Sequence, residues 1–334
     1  MRYFLKFLCL LCVSCSSLAI EKDSISEESS NLWSHELVEM RKLNDTIQLS
    51  IIDASQLYSE RWDTLAHPQF WKQIMQLSPD SCVINVAKNR EIVAKMSLKD
   101  WNKISDNDKD AFRDSIRKIK GLESSDKIFM TTGKNDFYKF EAVLPSVGKG
   151  VSVFNAIGVD PWYAQAILMI ESPGKIAKSN AGAYGPFQLM PGVARSHGLR
   201  VDKYVDERKD FEKSAKGAAS LISKVCIPEA HKILEAHNVT FNENDLWFRL
   251  FVLHIYHAGA GNVAAVMNVI KPEKGGGDLI QTMWTSKGGN FGNASQNYSQ
   301  LALAALLILD EMIWERCEDI ADESVSDNLT PAKG

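Results

Sequence analysis

The segment from Trp162 to Glu171 constrains the fold of this chain more than any other. It reads Trp-Tyr-Ala-Gln-Ala-Ile-Leu-Met-Ile-Glu, after Asp160, a favourable N-cap, and Pro161, whose fixed φ suits the first helical position. The helix so predicted is apolar nearly all round. It has no face to give to water and must run through the middle of a domain. Yet it ends in a carboxylate. Ala164, Ile167, Leu168 and Glu171 fall at i, i+3, i+4 and i+7, so Glu171 lies on an apolar stripe.

Burying an unpaired carboxylate is costly, and the usual response is a raised pKa. The negative end of the helix dipole pushes the same way at a helix C-terminus. A carboxyl group that stays protonated near neutral pH is what cleavage of a glycosidic bond needs, because the leaving oxygen must receive a proton. The helix pattern alone is equally met by a buried glutamate that holds a loop by hydrogen bonds, so the surrounding sequence has to decide.

The chain begins with an export signal. Met1 to Lys6 carries two basic residues, an apolar run follows from Phe7 to Val13, and small residues come next. Two cleavage readings stand. Ser17-Leu18-Ala19 offers small residues to a signal peptidase and would release a soluble protein. Val13-Ser14-Cys15 resembles a lipobox, with Cys12 where an aliphatic residue is usual, and would leave Cys15 as a lipid anchor. The polar stretch from Glu21 to Asn31 suits a tether behind such an anchor. Cys9, Cys12 and Cys15 lie in the leader, so the exported chain keeps Cys82, Cys226 and Cys317. Export favours oxidation, and these three allow one disulfide or three buried thiols.

The sequence divides into a leader over 1–19, an accessory region over 20–135, a catalytic domain over 136–317 and a polar tail over 318–334. Residues 32 to about 130 read as polar-faced helices with turns. Among them is a helix from Ala111 to Lys120 ended by Gly121, with Cys82 to Ala87 as a short strand. From Phe137 the chain is more apolar. Helices are predicted over Val151 to Ile157, closed by Gly158, over Leu246 to Ala258, closed by Gly259, and from Asn297 to about Arg316. The apolar run Leu301 to Leu309 is far shorter than the roughly 20 residues that cross a bilayer. A formal net charge of −4 argues against a strongly basic nucleic-acid binder.

The residues after Glu171 form a specific pattern. Glu171-Ser172, then Ala181-Gly182-Ala183-Tyr184-Gly185-Pro186-Phe187-Gln188-Leu189-Met190-Pro191 with Ala194, closely resembles the signature of the soluble-lytic-transglycosylase family. Three more blocks come in the family's order: Asp206-Glu207-Arg208 through Ala218-Ala219 and Leu221, Ile255-Tyr256-His257-Ala258-Gly259-Ala260-Gly261-Asn262-Val263, and Asn297-Tyr298. The likeness covers about residues 140 to 310 and is nearest to the membrane-bound D type of murein transglycosylase, without a LysM repeat.

The resemblance implies a mainly α, lysozyme-like (goose-lysozyme-like) catalytic domain with a helical N-terminal accessory region. It implies peptidoglycan glycan strands as partner, no metal or organic cofactor, and Glu171 as a single acid and base. Glu171 would protonate the MurNAc–GlcNAc bond and then take the proton of the C6 hydroxyl, giving a 1,6-anhydro product. An internal nucleophile needs no second carboxylate. Ser172, Gly182, Gly185, Gln188, Met190, Tyr256 and Tyr298 are the expected substrate-binding residues. The glycines allow tight turns and close approach, and Gln188 offers donor and acceptors to acetamido or hydroxyl groups. Met190 is an adaptable apolar wall, and Tyr256 is placed with its hydroxyl near Glu171. For Met190 and Tyr256, plain core packing is an equal reading.

The chain departs from the family pattern in three places. Pro173-Gly174-Lys175 stands where an aromatic and a proline are usual, His257 replaces an asparagine, and Ala294 stands four residues before Tyr298 where a glutamate is common. A goose-lysozyme-like hydrolase and a catalytically weak peptidoglycan-binding scaffold are the alternatives. His254 and His257 at i and i+3 invite a zinc reading, but the i, i+4 pair and glutamate of the metallopeptidase motif are missing.

Overall fold

The computed structural model describes Trp33 and residues 36–41, 48–172 and 178–328. The leader with Cys15, the tether and the Pro173-Gly174-Lys175 loop lie outside the described residues.

The chain opens with a hairpin of β1 (Leu37–Arg41) and β2 (Gln48–Ile52), followed by α1 (Ser55–Ser59) and α2 (Ala66–Gln76). Three further strands come next: β3 (Ser81–Val86), β4 (Ile92–Ser97) and, after α3 (Leu98–Lys103) and α4 (Asp106–Lys120), β5 (Ile128–Thr132). They form an antiparallel sheet in the order β4-β3-β5. From there the fold is helical: α5 (Phe140–Ala156), α6 (Trp162–Glu171), α7 (Pro191–Ser196), α8 (Phe211–Leu221), α9 (Ile227–Ala236), α10 (Leu246–Ala258), α11 (Ala260–Ile270), α12 (Gly277–Met283) and α13 (Asn293–Asn328). One π-helical turn, Ile222–Cys226, joins α8 to α9.

The fold as a whole is mainly α-helical, but the accessory region corrects the helical reading. Its helices are there, with α4 capped by Ser105 and ended by Gly121 at φ +63. Between them stand the strands. Ile92-Val93-Ala94 and Ile128-Phe129-Met130-Thr131-Thr132 are rich in β-branched and large apolar side chains, which fit a pleated, half-buried surface. Strand β3 is covered on both sides. Cys82, Ile84 and Val86 point into a small core with Trp101, Ile116 and Ile128, while Val83 points into the main core. That alternation is the period of two of a strand.

The main core is built around α6, as the sequence requires. Every residue from Trp162 to Ile170 is buried. Helix α5 crosses it so closely that a Cβ on Gly150 would stand 2.5 Å from Leu168 Cδ1. The β1–β2 hairpin and α2 also feed this core, through Ile51, Ile52, Phe70, Trp71 and Ile74. The side chain of Gln165, buried in mid-helix, both accepts from the Ile52 amide at 2.9 Å and donates to the Ile52 carbonyl at 3.1 Å. Buried Arg249 on α10 bridges Asp160 and Glu36, each at 2.8 Å. Helix α13 begins at Asn293, earlier than expected, and runs on through the expected polar tail to Asn328. Cys82 and Cys226 are unpaired buried thiols, and burial pushes Cys226 up to about 12. Among the described residues no helix is long and apolar enough to cross a membrane.

Candidate active site

Glu171 ends α6, the Asp160 carboxylate having capped its start by accepting from the Trp162 amide at 2.9 Å. The residues before Glu171 are buried and it is only partly so. Its carboxyl group reaches the edge of the core. Burial pushes its pKa up to about 7 from 4.5, opposed by a hydrogen bond from Tyr298. The Tyr298 hydroxyl donates to Glu171 Oε1 at 2.8 Å. Among the described residues Glu171 makes no ion pair, and no second carboxylate acts on its charge. Among the described residues Tyr298 holds only Oε1, which leaves Oε2 to carry the proton.

Three tyrosines surround this acid. Tyr298 is buried on α13, Tyr256 lies on α10, and Tyr138 lies just before α5. The charge of Glu171 helps to raise the pKa of each, after burial as the main cause, so all three stay protonated. The Tyr256 hydroxyl, expected near Glu171, is within reach of that group's charge but is not hydrogen-bonded to it. That hydroxyl donates to the Phe187 carbonyl at 2.6 Å, and Tyr298 takes the place beside the acid. Both rings lie near Glu171, and only the rotation of each helix decides which hydroxyl reaches it. His257 stacks on the Tyr298 ring with centroids 4.3 Å apart and planes 20° from parallel. His254, one turn earlier, is fully buried, and burial pushes it down to about 3, so it stays neutral. No group of three His, Cys, Asp or Glu side chains among the described residues is arranged to hold a metal ion.

The glycine-rich segment folds against the end of α6. Ser172 Oγ donates to the Pro186 carbonyl at 2.9 Å, tying helix end to loop. Phe187 is fully buried and stacks on Phe154 of α5, which anchors the loop in the core. Around it Tyr184 and Leu189 form an antiparallel bridge, and the Gln188 amide returns to the Gly185 carbonyl at 3.1 Å. This tight turn puts Gly182 at φ +93, Gly185 at φ +88 and Gln188 at φ +46. Both glycines hold the left-handed values their residue type permits. The close approach at Gly185 is to protein, however. A Cβ there would stand 1.9 Å from the Arg208 carbonyl oxygen. The side-chain nitrogen of Gln188 is also engaged inside the loop, donating to the Gly185 carbonyl at 2.9 Å. Met190 is 42% exposed and presents an apolar side chain beside the turn.

Arg208 is a site residue that sequence reasoning misses. Its buried guanidinium makes two bonds to Asp206, at 2.7 and 2.8 Å, and donates to the carbonyls of Gly182 and Leu189, at 2.8 and 2.9 Å. One side chain thus closes both ends of the glycine-rich segment. The signal is the Asp-x-Arg spacing, since a buried arginine needs a planar partner for its fork.

A family model described as "Transglycosylase SLT domain" matches residues 155–273, which takes in Glu171, the glycine-rich loop and Tyr256 and leaves Tyr298 outside. No match to a curated protein was found.

Proposed function

We propose, with a peptidoglycan-acting SLT-type domain as premise, that this protein is a lytic transglycosylase. It would cut the β-1,4 bond between N-acetylmuramic acid and N-acetylglucosamine and leave a 1,6-anhydro end. The observation that carries the reading is Glu171 itself: a carboxyl group pushed up to about 7 by burial and, among the described residues, free of cations and with a tyrosine hydroxyl on one oxygen only. Near neutral pH such a group is half protonated, the condition in which one residue serves as acid and then as base.

The steps are those the family resemblance implies, and that geometry supports them. Protonated Glu171 delivers its proton from Oε2 to the glycosidic oxygen as the bond to the anomeric carbon breaks. Charge then appears on Glu171, and the Tyr298 hydroxyl bonds more strongly to the carboxylate it now faces. The substrate's acetamido oxygen shelters the anomeric carbon. The C6 hydroxyl attacks that carbon within the same sugar and loses its proton to Glu171, which restores the acid. The absence of a second carboxylate acting on Glu171, among the described residues, favours this internal attack over a two-carboxylate hydrolysis. Ser172, Gly182, Gly185 and Arg208 hold the loop, and Met190, Gln188 and Tyr256 are the residues we assign to the glycan. Nearness to the membrane-bound D type, export to the periplasm and anchoring through Cys15 belong to the same proposal.

The test is digestion of purified sacculi by the wild type and by Glu171→Gln, with product masses read out. Wild type should release muropeptides lighter by one water than hydrolytic products, and the variant should be slower by about 10²- to 10⁴-fold. Hydrated reducing ends would make the enzyme a hydrolase. Undiminished release by Glu171→Gln would remove Glu171 from the chemistry.

A further inference from the structure

Four consecutive residues of α13, little more than one helical turn, each take a side-chain partner from a different element. Asn297 Oδ1 accepts from Arg90 Nη2 at 2.7 Å. The Tyr298 hydroxyl donates to Glu171 at 2.8 Å. Ser299 Oγ accepts from Trp284 Nε1 at 2.8 Å, and Gln300 Oε1 accepts from Trp71 Nε1 at 3.0 Å. Asn297 and Gln300 are three apart and so share a face of the helix. Both of their donors come from the region before residue 136.

Those donors form one unit. Arg90 sits in the turn between β3 and β4 at φ +60, and its guanidinium lies 5.3 Å from the Phe70 ring centre and 5.5 Å from that of Trp71. Helix α2 then follows α13 downward, where Lys72 pairs with Glu311 and, from α1, Tyr58 bonds Asp310. The Arg90 amide donates to the Val86 carbonyl at 2.9 Å, while its guanidinium has Asn297 as its one hydrogen-bond partner among the described residues, and no carboxylate. Its contact is thus directed at the residue next to Tyr298.

We propose that Arg90 is a positioning residue for the catalytic acid: with Trp71 it fixes the rotation of the α13 turn that brings the Tyr298 hydroxyl to Glu171. Small rotations suffice to lose that bond. About 10° about the axis moves a group at the helix's outer radius of roughly 5–6 Å by about 1 Å. That carries an O–H···O bond beyond its range of about 2.5–3.0 Å. The accessory sheet and α2 are then part of the active site's framework, although none of their side chains acts on the charge of Glu171. The groups that do face that carboxyl are Tyr298, Tyr256 and Tyr138, with His257 stacked on Tyr298.

The catalytic side of this inference rests on Glu171 being the proton donor, so the experiment reads the hydrogen bond without turnover. In the full chain, labelled with ¹³C in the glutamate carboxyls and assigned with Glu171→Gln, the Glu171 resonance is titrated by NMR. Tyr298→Phe should raise its pKa, because a bond favouring the charged form is lost. Arg90→Met, which keeps length and apolar packing, should raise it in the same direction. The double variant should titrate no higher than Tyr298→Phe alone, the non-additivity expected of one shared interaction. Trp71→Phe provides the same reading should Arg90→Met not fold. On sacculi kcat should fall about tenfold with KM unchanged. The inference is overturned if Arg90→Met and Trp71→Phe leave the Glu171 pKa where it is in the wild type. It is equally overturned if their shifts add fully to that of Tyr298→Phe. Should Glu171→Gln digest sacculi as well as the wild type, the acid assignment fails while the titration still decides what Arg90 does.

Discussion

Replacing Glu171 by glutamine should make the protein more stable, and only at higher pH. Glutamine fills the same space and its carbonyl accepts from Tyr298 as the carboxylate does, so the exchange removes the charge and little else. In the folded chain burial pushes this carboxyl from 4.5 up to about 7. The sign comes from linkage. Between these two values the native state binds a proton that the unfolded state has released, so stability falls as pH rises through the interval and is level beyond it. At about 1.36 kcal/mol for each pH unit, the interval between 4.5 and about 7 is worth at most about 3 kcal/mol, since the group is partly open to solvent. For a chain of this length that corresponds to a midpoint shift of about 5 °C. Urea melts of both proteins at pH 4.5 and pH 8.5 provide the assay, because every other titrating group is common to the two and cancels. The stabilities should agree within about 0.5 kcal/mol at the lower pH and part by about 2–3 kcal/mol at the higher, with Glu171→Gln above. A gap of the same size at both pH values, or a wild type that is the more stable at pH 8.5, would refute the claim that Glu171 is a strained, proton-holding acid.

The two glycines of the loop should separate by cost. Gly185→Ala combines a left-handed φ with a Cβ at 1.9 Å from a backbone oxygen and should destabilise by about 3 kcal/mol or more, whereas Gly182→Ala, with open space around it, should cost only about 1–2 kcal/mol in a urea melt. Ser172→Ala leaves the buried Pro186 carbonyl without its partner and should cost about 1–3 kcal/mol, together with a loss of muropeptide release measured well below the melting temperature.

Much of the helical domain is legible in the sequence. Helix α10 runs over the expected Leu246 to Ala258, ended by Gly259 at φ +81, and α6 starts beside the expected cap. These are the elements whose caps and apolar periods agree. Where they disagree, the pattern falls short. It predicts α5 only from Val151, yet that helix begins at Phe140, because Pro145, Gly148 and Gly150 all lie inside it. Its packing against α6 overrides their low propensity, and Gly150 is what allows the close crossing. Of the accessory sheet, β3 stands where Cys82 to Ala87 reads as a strand, whereas β4 and β5 are short runs between polar residues, which periodicity alone does not separate from turns of helix. The site shows the same boundary. Glu171 and the loop belong to one continuous stretch of sequence, and the Ser172 hydroxyl ties the helix end to Pro186, 14 residues on. Which tyrosine serves Glu171 depends on the rotation of two distant helices, and no local pattern records it.

The raised pKa and the polar contacts along α6 have a common origin. Enclosing the helix in apolar side chains is what makes the charged form of Glu171 costly, and the same enclosure gives that strain no outlet except movement of the helix. Three buried polar attachments oppose such movement. Asp160 is held by Arg249 at the start, Gln165 by the Ile52 backbone in the middle, and Ser172 by Pro186 at the end. Each lies in surroundings where an unmade bond would cost about 1–3 kcal/mol, comparable to the strain on the acid. A helix able to slide or fray by one turn would carry Glu171 into water, and its pKa would return toward that of an ordinary glutamate. The attachments therefore set more than stability. They keep the carboxyl group in the buried position that raises its pKa to about 7, the condition the proposed acid and base role requires.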